Sequence, residues 1–154
     1  MSIFKKTVNK LIKKNISVST VESCTGGLLS YSFIKNNNIS KVYKAGYITY
    51  SNESKINVLN VNKKILKIKG AVSKEVAKLL VENLFKKEKT MITISTTGIA
   101  GPTNDNSNKP IGLVYIGIKY KLNTKIYKKN FTGTRIQIQK KTIKFIFNKL
   151  NSLI

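Results

Sequence analysis

The amino-acid sequence predicts an α/β protein in three layers, an α/β/α sandwich with a mostly parallel mixed sheet and a late antiparallel hairpin. Amphipathic helical segments alternate with β-branched and aromatic strand-like segments along most of the chain. Near the C-terminus two strand-like segments follow each other directly, which is typical of a hairpin. No repeat or linker interrupts the pattern, so we expect a single domain over residues 1–154.

The first half of the chain predicts two strands and the helices around them. Ile3–Lys14 places its apolar residues on one face with lysines opposite, as an amphipathic helix does. Ile16–Val21 carries no charge on either face, so we expect a strand buried on both sides. In order, the predicted elements are a helix at Ile3–Lys14, a strand at Ile16–Val21, a helix from Gly27 to about Ile34, a strand at Tyr43–Tyr50, a short helix capped by Ser51 or Asn52, and a helix or loop at Lys63–Lys69.

The second half predicts one long helix, three strands and a terminal helix. Ser73 is a typical N-cap residue, and the apolar stripe after it predicts a helix that ends near Lys87. Thr103–Lys109 is polar and rich in asparagine, which indicates a mobile loop. The other elements are a strand at Thr90–Thr97, a strand at Leu113–Tyr120, a turn at Asn123 and Thr124, a strand at Lys125–Phe131, and a helix that carries Ile136 to Leu150.

The composition limits the partners of the protein. The net charge is +23, but the lysines are spread along the whole chain, and Arg135 is the one arginine among 29 basic residues. Readers of nucleic acid rely on arginine for bidentate contacts, so we expect only non-specific binding to nucleic acid through charge. No apolar run is long enough for a membrane span or a signal peptide, and we expect no membrane partner and a cytoplasmic location.

Missing residue types limit the chemistry further. The chain has no histidine, so Ser-His-Asp and Cys-His catalysis are excluded. With one cysteine and six scattered acidic residues, no metal site and no cofactor are expected. A nucleophile in this protein needs a base other than imidazole, and lysine is the remaining candidate.

Several predicted strands end in turns rich in hydroxyl groups and glycine. The turns at residues 23–27, 50–52 and 97–98 follow three strands, and if these strands are parallel, the turns meet at one sheet edge. Ser23, Cys24 and Thr25 are candidate nucleophiles in the first turn, although an ordinary capped turn has the same composition. Lys55 lies about one helical turn beyond the second strand, but most lysines are solvated, and spacing alone does not select it.

Arg135 is a candidate binding residue. In a chain that uses lysine almost everywhere, a solitary arginine indicates a need for the planar fork that binds phosphate or carboxylate through two bonds. The alternative is an exposed residue near the start of a helix, which requires no ligand.

Five motifs, in order, resemble the CinA C-terminal domain family, and the resemblance extends from about Val18 to Arg135. The family implies a three-layer α/β/α fold, and its stand-alone members are nicotinamide-nucleotide amidohydrolases. The resemblance therefore implies hydrolytic deamidation of nicotinamide mononucleotide to nicotinate mononucleotide and ammonia, without a metal. The motifs are Glu22-Ser23-Cys24-Thr25-Gly26-Gly27, Tyr50-Ser51-Asn52 with Lys55, Gly70-Ala71-Val72-Ser73, Thr97-Gly98-Ile99-Ala100-Gly101-Pro102, and Lys109-Pro110-Ile111-Gly112.

The resemblance also implies roles for individual residues. Ser23 is similar to the family's nucleophile and Lys55 to its base, with Tyr50 beside them to orient or relay the proton. Arg135 resembles a functional arginine that holds the nucleotide phosphate at a helix N-terminus. The other residues expected to bind substrate or to stabilise the oxyanion, with the choice between the two turns left open, are Thr25, Gly26, Gly27, Asn52, Thr97 and Gly98.

The sequence departs from the family pattern in the loop and in the terminal helix. Thr103–Asn108 replaces a glycine-rich segment, and Gln139 and Lys140 stand where further arginine is typical. Two alternative functions stay open, a non-catalytic nucleotide-binding module and a competence-associated protein on the same fold. As partners we expect a small-molecule nucleotide substrate and a second copy of the chain in a homo-oligomer, with a dimer favoured.

Overall fold

The computed structural model describes all residues from Met1 to Ile154. One turn of 3-10 helix at Ile39–Lys41 accompanies six α-helices and five strands. The strands are β1 (Val18–Glu22), β2 (Tyr43–Ile48), β3 (Ile92–Gly98), β4 (Leu113–Tyr120) and β5 (Asn123–Asn130). The helices are α1 (Ile3–Lys13), α2 (Leu28–Ile34), α3 (Asn52–Leu59), α4 (Lys63–Lys69), α5 (Lys74–Glu88) and α6 (Arg135–Leu153).

The five strands form one mixed sheet in the order β2-β1-β3-β4-β5. β1 is parallel to both of its neighbours, whereas β4 is antiparallel to β3 and to β5. Four of the strands therefore share one direction, and the late hairpin contributes the single reversed strand, which confirms the predicted fold class. Because β1, β2 and β3 are parallel, their C-terminal ends lie at one edge of the sheet.

Helices cover both faces of the sheet and bury its central strands. α1, α2 and α6 pack on one face around a core that includes Phe33 and Phe147. α3, α4 and α5 pack on the other face around Leu59, Leu80 and Leu84. Every residue of β1 is buried, as the sequence predicts, because a parallel strand in the middle of a three-layer fold contacts helices on both sides.

Several predicted boundaries differ from the structure by one or two residues. β1 begins at Val18 instead of Ile16, because the Ile16 N–H donates to the carbonyl of Leu11 in α1 and does not join the sheet ladder. β2 ends at Ile48, two residues before the predicted end. The predicted turn at Asn123 and Thr124 is wrong: both residues pair with β4, and the chain reverses at residues 121–122, where Lys121 adopts a φ of 58°.

A ladder of hydroxyl groups fixes α5 against β3. Thr93, Ser95 and Thr97 donate to the carbonyls of Val81, Ala77 and Ala71 at 3.0, 2.8 and 2.7 Å. Each bond satisfies a buried hydroxyl. The first two set the position of α5 along β3, and the third holds the segment that precedes α5, to which Ala71 belongs. No helix is long and apolar enough to cross a membrane.

Candidate active site

A cleft of about 510 Å³ lies at the edge of the sheet where β1, β2 and β3 end. Seven of the residues predicted for the site line it, whereas Thr25, Gly26 and Gly27 do not. Its 19 lining residues come from the turns after β1, β2 and β3, from α3, from residues 70–72, from residues 103–107, and from the start of α6. The predicted residues among them are Ser23, Tyr50, Asn52, Lys55, Thr97, Gly98 and Arg135.

Ser23 and Lys55 meet in one wall of this cleft. The Lys55 ammonium nitrogen Nζ lies 3.2 Å from Ser23 Oγ, although the two residues are 32 positions apart. Nζ also donates to the carbonyl of Thr49 at 2.6 Å, which fixes the long side chain in one orientation. α3 supplies Lys55 in this position because Ser51 caps the helix and Ser54 returns a hydrogen bond to the Ser51 backbone.

The Lys55 side chain is buried without an acidic partner. Its residue is 1% exposed, and the oxygens it contacts belong to Ser23 and to backbone carbonyls. Burial penalises the charged amine and lowers the pKa of Lys55 from 10.5 to about 8. A substantial neutral fraction near pH 8 allows this amine to accept a proton from Ser23.

The other two candidate nucleophiles are engaged or protonated. Burial raises the pKa of the Cys24 thiol to about 12, so Cys24 keeps its proton at neutral pH. Thr25 donates its hydroxyl to the carboxylate of Glu22 at 2.6 Å and contacts the hydroxyl of Thr96 at 2.8 Å. The geometry therefore favours Ser23 among the three.

Glu22, to which the sequence analysis assigned no role, anchors the turn that carries Ser23. It is 0% exposed, and its carboxylate accepts bonds from the backbone N–H groups of Leu29 and Ser30 at 2.8 and 3.0 Å. The hydroxyls of Thr25 and Ser30 donate to it as well. The signal available in the sequence was an acidic residue at the end of a strand otherwise free of charge, where a buried carboxylate needs such donors.

Glu22 also changes what the first turn does. Gly26 and Gly27 lie outside the cleft, and the Glu22 carboxylate accepts the N–H groups at the start of the helix that follows them. Gly27 adopts a φ of 100°, so it serves the sharp entry into the helix instead. Thr25, Gly26 and Gly27 thus support the position of Ser23 from outside the cleft.

Tyr50 and Arg135 pair with each other at the mouth of the cleft. Arg135 donates to the Tyr50 hydroxyl at 3.1 Å and to the carbonyl of Gly101 at 2.6 Å. The Tyr50 hydroxyl has no hydrogen bond to Ser23 or Lys55, and only its carbonyl lies near Lys55 Nζ, at 3.5 Å. The structure brings Tyr50 to the cleft but places its hydroxyl on the arginine and not on the Ser23–Lys55 pair.

The remaining wall of the cleft is polar and carries little charge. Thr97 lines the cleft while its hydroxyl is bonded to Ala71, and a side chain at Gly98 would meet the Leu113 carbonyl at 2.7 Å. Only one of the chain's many lysines, Lys55, lines the cleft, and Asp105 and Arg135 are its other charged side chains. Asn52 and the loop of residues 103–107 add amide and hydroxyl groups.

The whole chain, residues 1–154, matches the family described as the CinA C-terminal domain. A competence-damage inducible protein of Clostridium botulinum (strain Loch Maree / Type A3) is 47% identical over 142 residues, which cover 92% of this chain and 35% of that protein. A protein of the same name from Caldicellulosiruptor saccharolyticus is 42% identical over 147 residues, covering 96% of this chain and 36% of the relative. The chain thus spans about a third of the length of these relatives.

Solved structures resemble the chain over nearly its full length. The competence damage-inducible protein A of Klebsiella pneumoniae superimposes with a TM-score of 0.94 at 25% identity, covering 97% of this chain and 93% of the other. The competence/damage inducible protein CihA of Agrobacterium tumefaciens gives a TM-score of 0.92 at 28% identity, with 98% and 93% covered.

Proposed function

Because the chain belongs to the CinA C-terminal domain family, which includes amidohydrolases, we propose that it hydrolyses the carboxamide of nicotinamide mononucleotide. The products are nicotinate mononucleotide and ammonia. The names of the relatives state only that they are competence-damage inducible, so the proposed activity rests on the site. The observation that carries the proposal is the contact of 3.2 Å between Ser23 Oγ and the buried amine of Lys55.

The Ser23–Lys55 pair supports the first half of the reaction. Neutral Lys55 accepts the Ser23 proton as Oγ attacks the carboxamide carbon, and the amide oxygen becomes an oxyanion. The C–N bond then breaks, Lys55 returns the proton to the nitrogen, and ammonia leaves an acyl-enzyme ester on Ser23. Burial serves this step because a protonated lysine of ordinary pKa, near 10.5, is rarely able to act as a base at neutral pH.

Water completes the cycle at the same pair of residues. Lys55 removes a proton from a water molecule in the cleft as the water oxygen attacks the ester carbon. The Ser23–carbonyl bond breaks, Ser23 Oγ takes the proton back from Lys55, and the product leaves as the carboxylic acid, which releases its proton to solvent and becomes nicotinate mononucleotide. The cleft is open enough for this water, since it connects to solvent along the exposed residues 103–106.

Arg135 supports recognition of the phosphate. Its guanidinium lies at the mouth of the cleft, bonded to Gly101 and Tyr50, so its charge is placed without a carboxylate partner. A guanidinium suits a phosphate because two parallel N–H groups match two phosphate oxygens. Asn52 and the polar loop residues that line the cleft offer hydrogen-bonding groups for the sugar.

The test is ammonia release from nicotinamide mononucleotide by the purified chain. Ser23→Ala and Lys55→Ala are each expected to lower turnover by at least ~10³-fold while the unfolding transition stays cooperative. Lys64→Ala serves as a matched control, because that lysine is exposed and outside the cleft. Normal ammonia release by either site variant contradicts the mechanism, and nucleotide binding by the wild type without ammonia release favours a non-catalytic nucleotide-binding module.

A further inference from the structure

We propose that Gln139 is a positioning residue for the nucleophile turn, an inference that rests on the proposed amidohydrolase function. Its Nε2 donates to the carbonyl oxygen of Cys24, the residue after Ser23, at 2.9 Å. The two residues are 115 positions apart, and this bond links α6 directly to the turn. Through it, Gln139 fixes the residue that follows the nucleophile.

α6 presents two of its residues to the candidate site. Arg135 and Gln139 are separated by one helical turn, so their side chains project from the same face of the helix. Arg135 lines the mouth of the cleft, and Gln139 lies half-buried one turn further along the helix. A reciprocal cap between Thr134 and Gln137 fixes the start of the helix, so the two side chains are displayed from a defined backbone.

The Cys24 peptide depends on Gln139 because the turn supplies few other bonds. Within the turn, Ser23 N–H donates to Thr96 and Gly26 N–H donates back to Ser23, but no backbone group donates to the Cys24 carbonyl. Gln139 provides the one hydrogen bond that this carbonyl accepts. Without it, the Cys24 carbonyl has no hydrogen bond, and the peptide between Cys24 and Thr25 is held only through the hydroxyl and the carbonyl of Thr25.

The Cys24 N–H gives this restraint a catalytic consequence. Cys24 lines the cleft, and its N–H donates to no other residue of the protein, although it contacts the thiol of Cys24 itself. A backbone N–H directly after the nucleophile, with no acceptor in another residue, suits the negative oxygen that forms on the carboxamide when Ser23 attacks. Gln139 holds Cys24 by its carbonyl and so keeps that donor in place, and the benefit is confined to the transition state, where the negative charge exists.

Substitutions that separate the donor from the bulk of Gln139 test the proposal. Gln139→Met keeps the length of the side chain and removes the donor, and we expect kcat for ammonia release to fall about tenfold with KM within about twofold. Gln139→Arg restores a donor of greater reach and is expected to return kcat to within about threefold of the wild type. The matched control is Lys140→Met, an exposed neighbour on α6, with kcat unchanged.

A second measurement separates this inference from the proposed function. The rate at which phenylmethanesulfonyl fluoride inactivates Ser23 reports the reactivity of the turn without nicotinamide mononucleotide, and Gln139→Met is expected to slow it about tenfold. If the wild type releases no ammonia but reacts with the sulfonyl fluoride, the substrate assignment fails and the labelling rates still decide the role of Gln139. The proposal is overturned if the sulfonyl fluoride labels the wild type and Gln139→Met at equal rates, or if it does not label the wild type. It is also overturned if the Met and Arg variants lose kcat equally.

Discussion

The two walls of the cleft differ in how firmly their polar groups are held. On one wall, Lys55 and Ser23 are 1% and 8% exposed, and the neighbouring Glu22 carboxylate accepts four hydrogen bonds. On the other wall, residues 103–106 are exposed, and Arg135 is exposed at the mouth. In the proposed reaction the first, inner wall holds the reacting atoms, and the second, outer wall offers groups that bind the substrate.

The difference shows which part of the cleft lowers the stability of the folded protein for the sake of the proposed chemistry. Burial without an acidic partner destabilises the charged form of the Lys55 amine. The inner wall is therefore less stable than a solvated lysine would make it, but its amine can act as a base. The outer wall carries no such cost, because exposed side chains on a loop are solvated before a ligand arrives. Substitutions on the inner wall should therefore alter both catalysis and stability, and those on the outer wall should alter mainly binding.

The largest expected effect comes from removing the buried amine. Lys55→Met should lower kcat at least ~10³-fold. The same variant should also change the pH dependence of stability. The pKa of Lys55 is lowered to about 8 in the folded state, so between about pH 8 and 10.5 the unfolded chain binds the proton that the folded chain has lost, and wild-type stability rises with pH.

Lys55→Met lacks this rise, and the stability difference is measurable by urea denaturation at pH 7 and pH 10.5. Relative to the wild type, the variant should lose roughly 3 kcal/mol of unfolding free energy between these two pH values. Comparing the two proteins cancels the titration of all other lysines. Parallel curves of unfolding free energy against pH would show that burial does not perturb this amine.

Glu22→Gln should destabilise the protein by about 3 kcal/mol. The amide offers one acceptor oxygen and turns an NH₂ group toward donors that already point at the carboxylate. Glu53→Gln, on an exposed residue in the first turn of α3, is the control and should change stability by less than about 0.5 kcal/mol. Equal midpoints in urea denaturation for both variants would refute the anchoring role.

On the outer wall, Arg135→Ala should raise KM for nicotinamide mononucleotide roughly 30-fold, because charge-assisted bonds to the phosphate are lost. Its effect on the unfolding free energy should be small, since the side chain is exposed. Nicotinamide riboside, which lacks the phosphate, should show little change in KM between the two proteins. An equal loss for both substrates would assign Arg135 to a role other than phosphate binding.

The dependence of kcat/KM on pH should follow the protonation of Lys55 on the inner wall. With a Lys55 pKa of about 8, the neutral fraction grows from about one tenth at pH 7 to about nine tenths at pH 9, so kcat/KM should rise about tenfold. The measurement is the initial rate at low substrate in buffers of constant ionic strength. A flat profile over this range would remove Lys55 as the base.

The smallest expected effect distinguishes two roles for Tyr50. If its hydroxyl acts through Arg135, as the contact of 3.1 Å indicates, Tyr50→Phe should raise KM about fivefold and leave kcat unchanged. If the hydroxyl relays a proton between Ser23 and Lys55, as the sequence led us to expect, kcat should fall instead. Steady-state measurement of kcat and KM for Tyr50→Phe distinguishes a role in binding through Arg135 from a role in proton transfer.

Much of the fold was predictable because its signals are local. Amphipathic periodicity located α1 and α5, N-cap residues such as Ser51 and Ser73 marked helix starts, and glycine or hydroxyl turns marked strand ends. The hairpin turn was misplaced by two residues because Lys121 takes a left-handed φ that its residue type does not suggest. The predicted ends of strands were also inaccurate, because the residues of the neighbouring strands decide where hydrogen-bonded pairing begins and ends.

By itself, the sequence determined the order of helices and strands, the absence of imidazole chemistry and the motifs that place the chain in its family. Only the tertiary structure decided that Lys55 reaches Ser23 and that its amine is desolvated. It also decided that the turn is held both by Glu22, its neighbour in sequence, and by Gln139, which lies far along the chain. The physical reason is that periodicity and capping depend on residues a few positions apart. Burial, pKa shifts and hydrogen bonds across 32 or 115 positions depend on how separate elements pack.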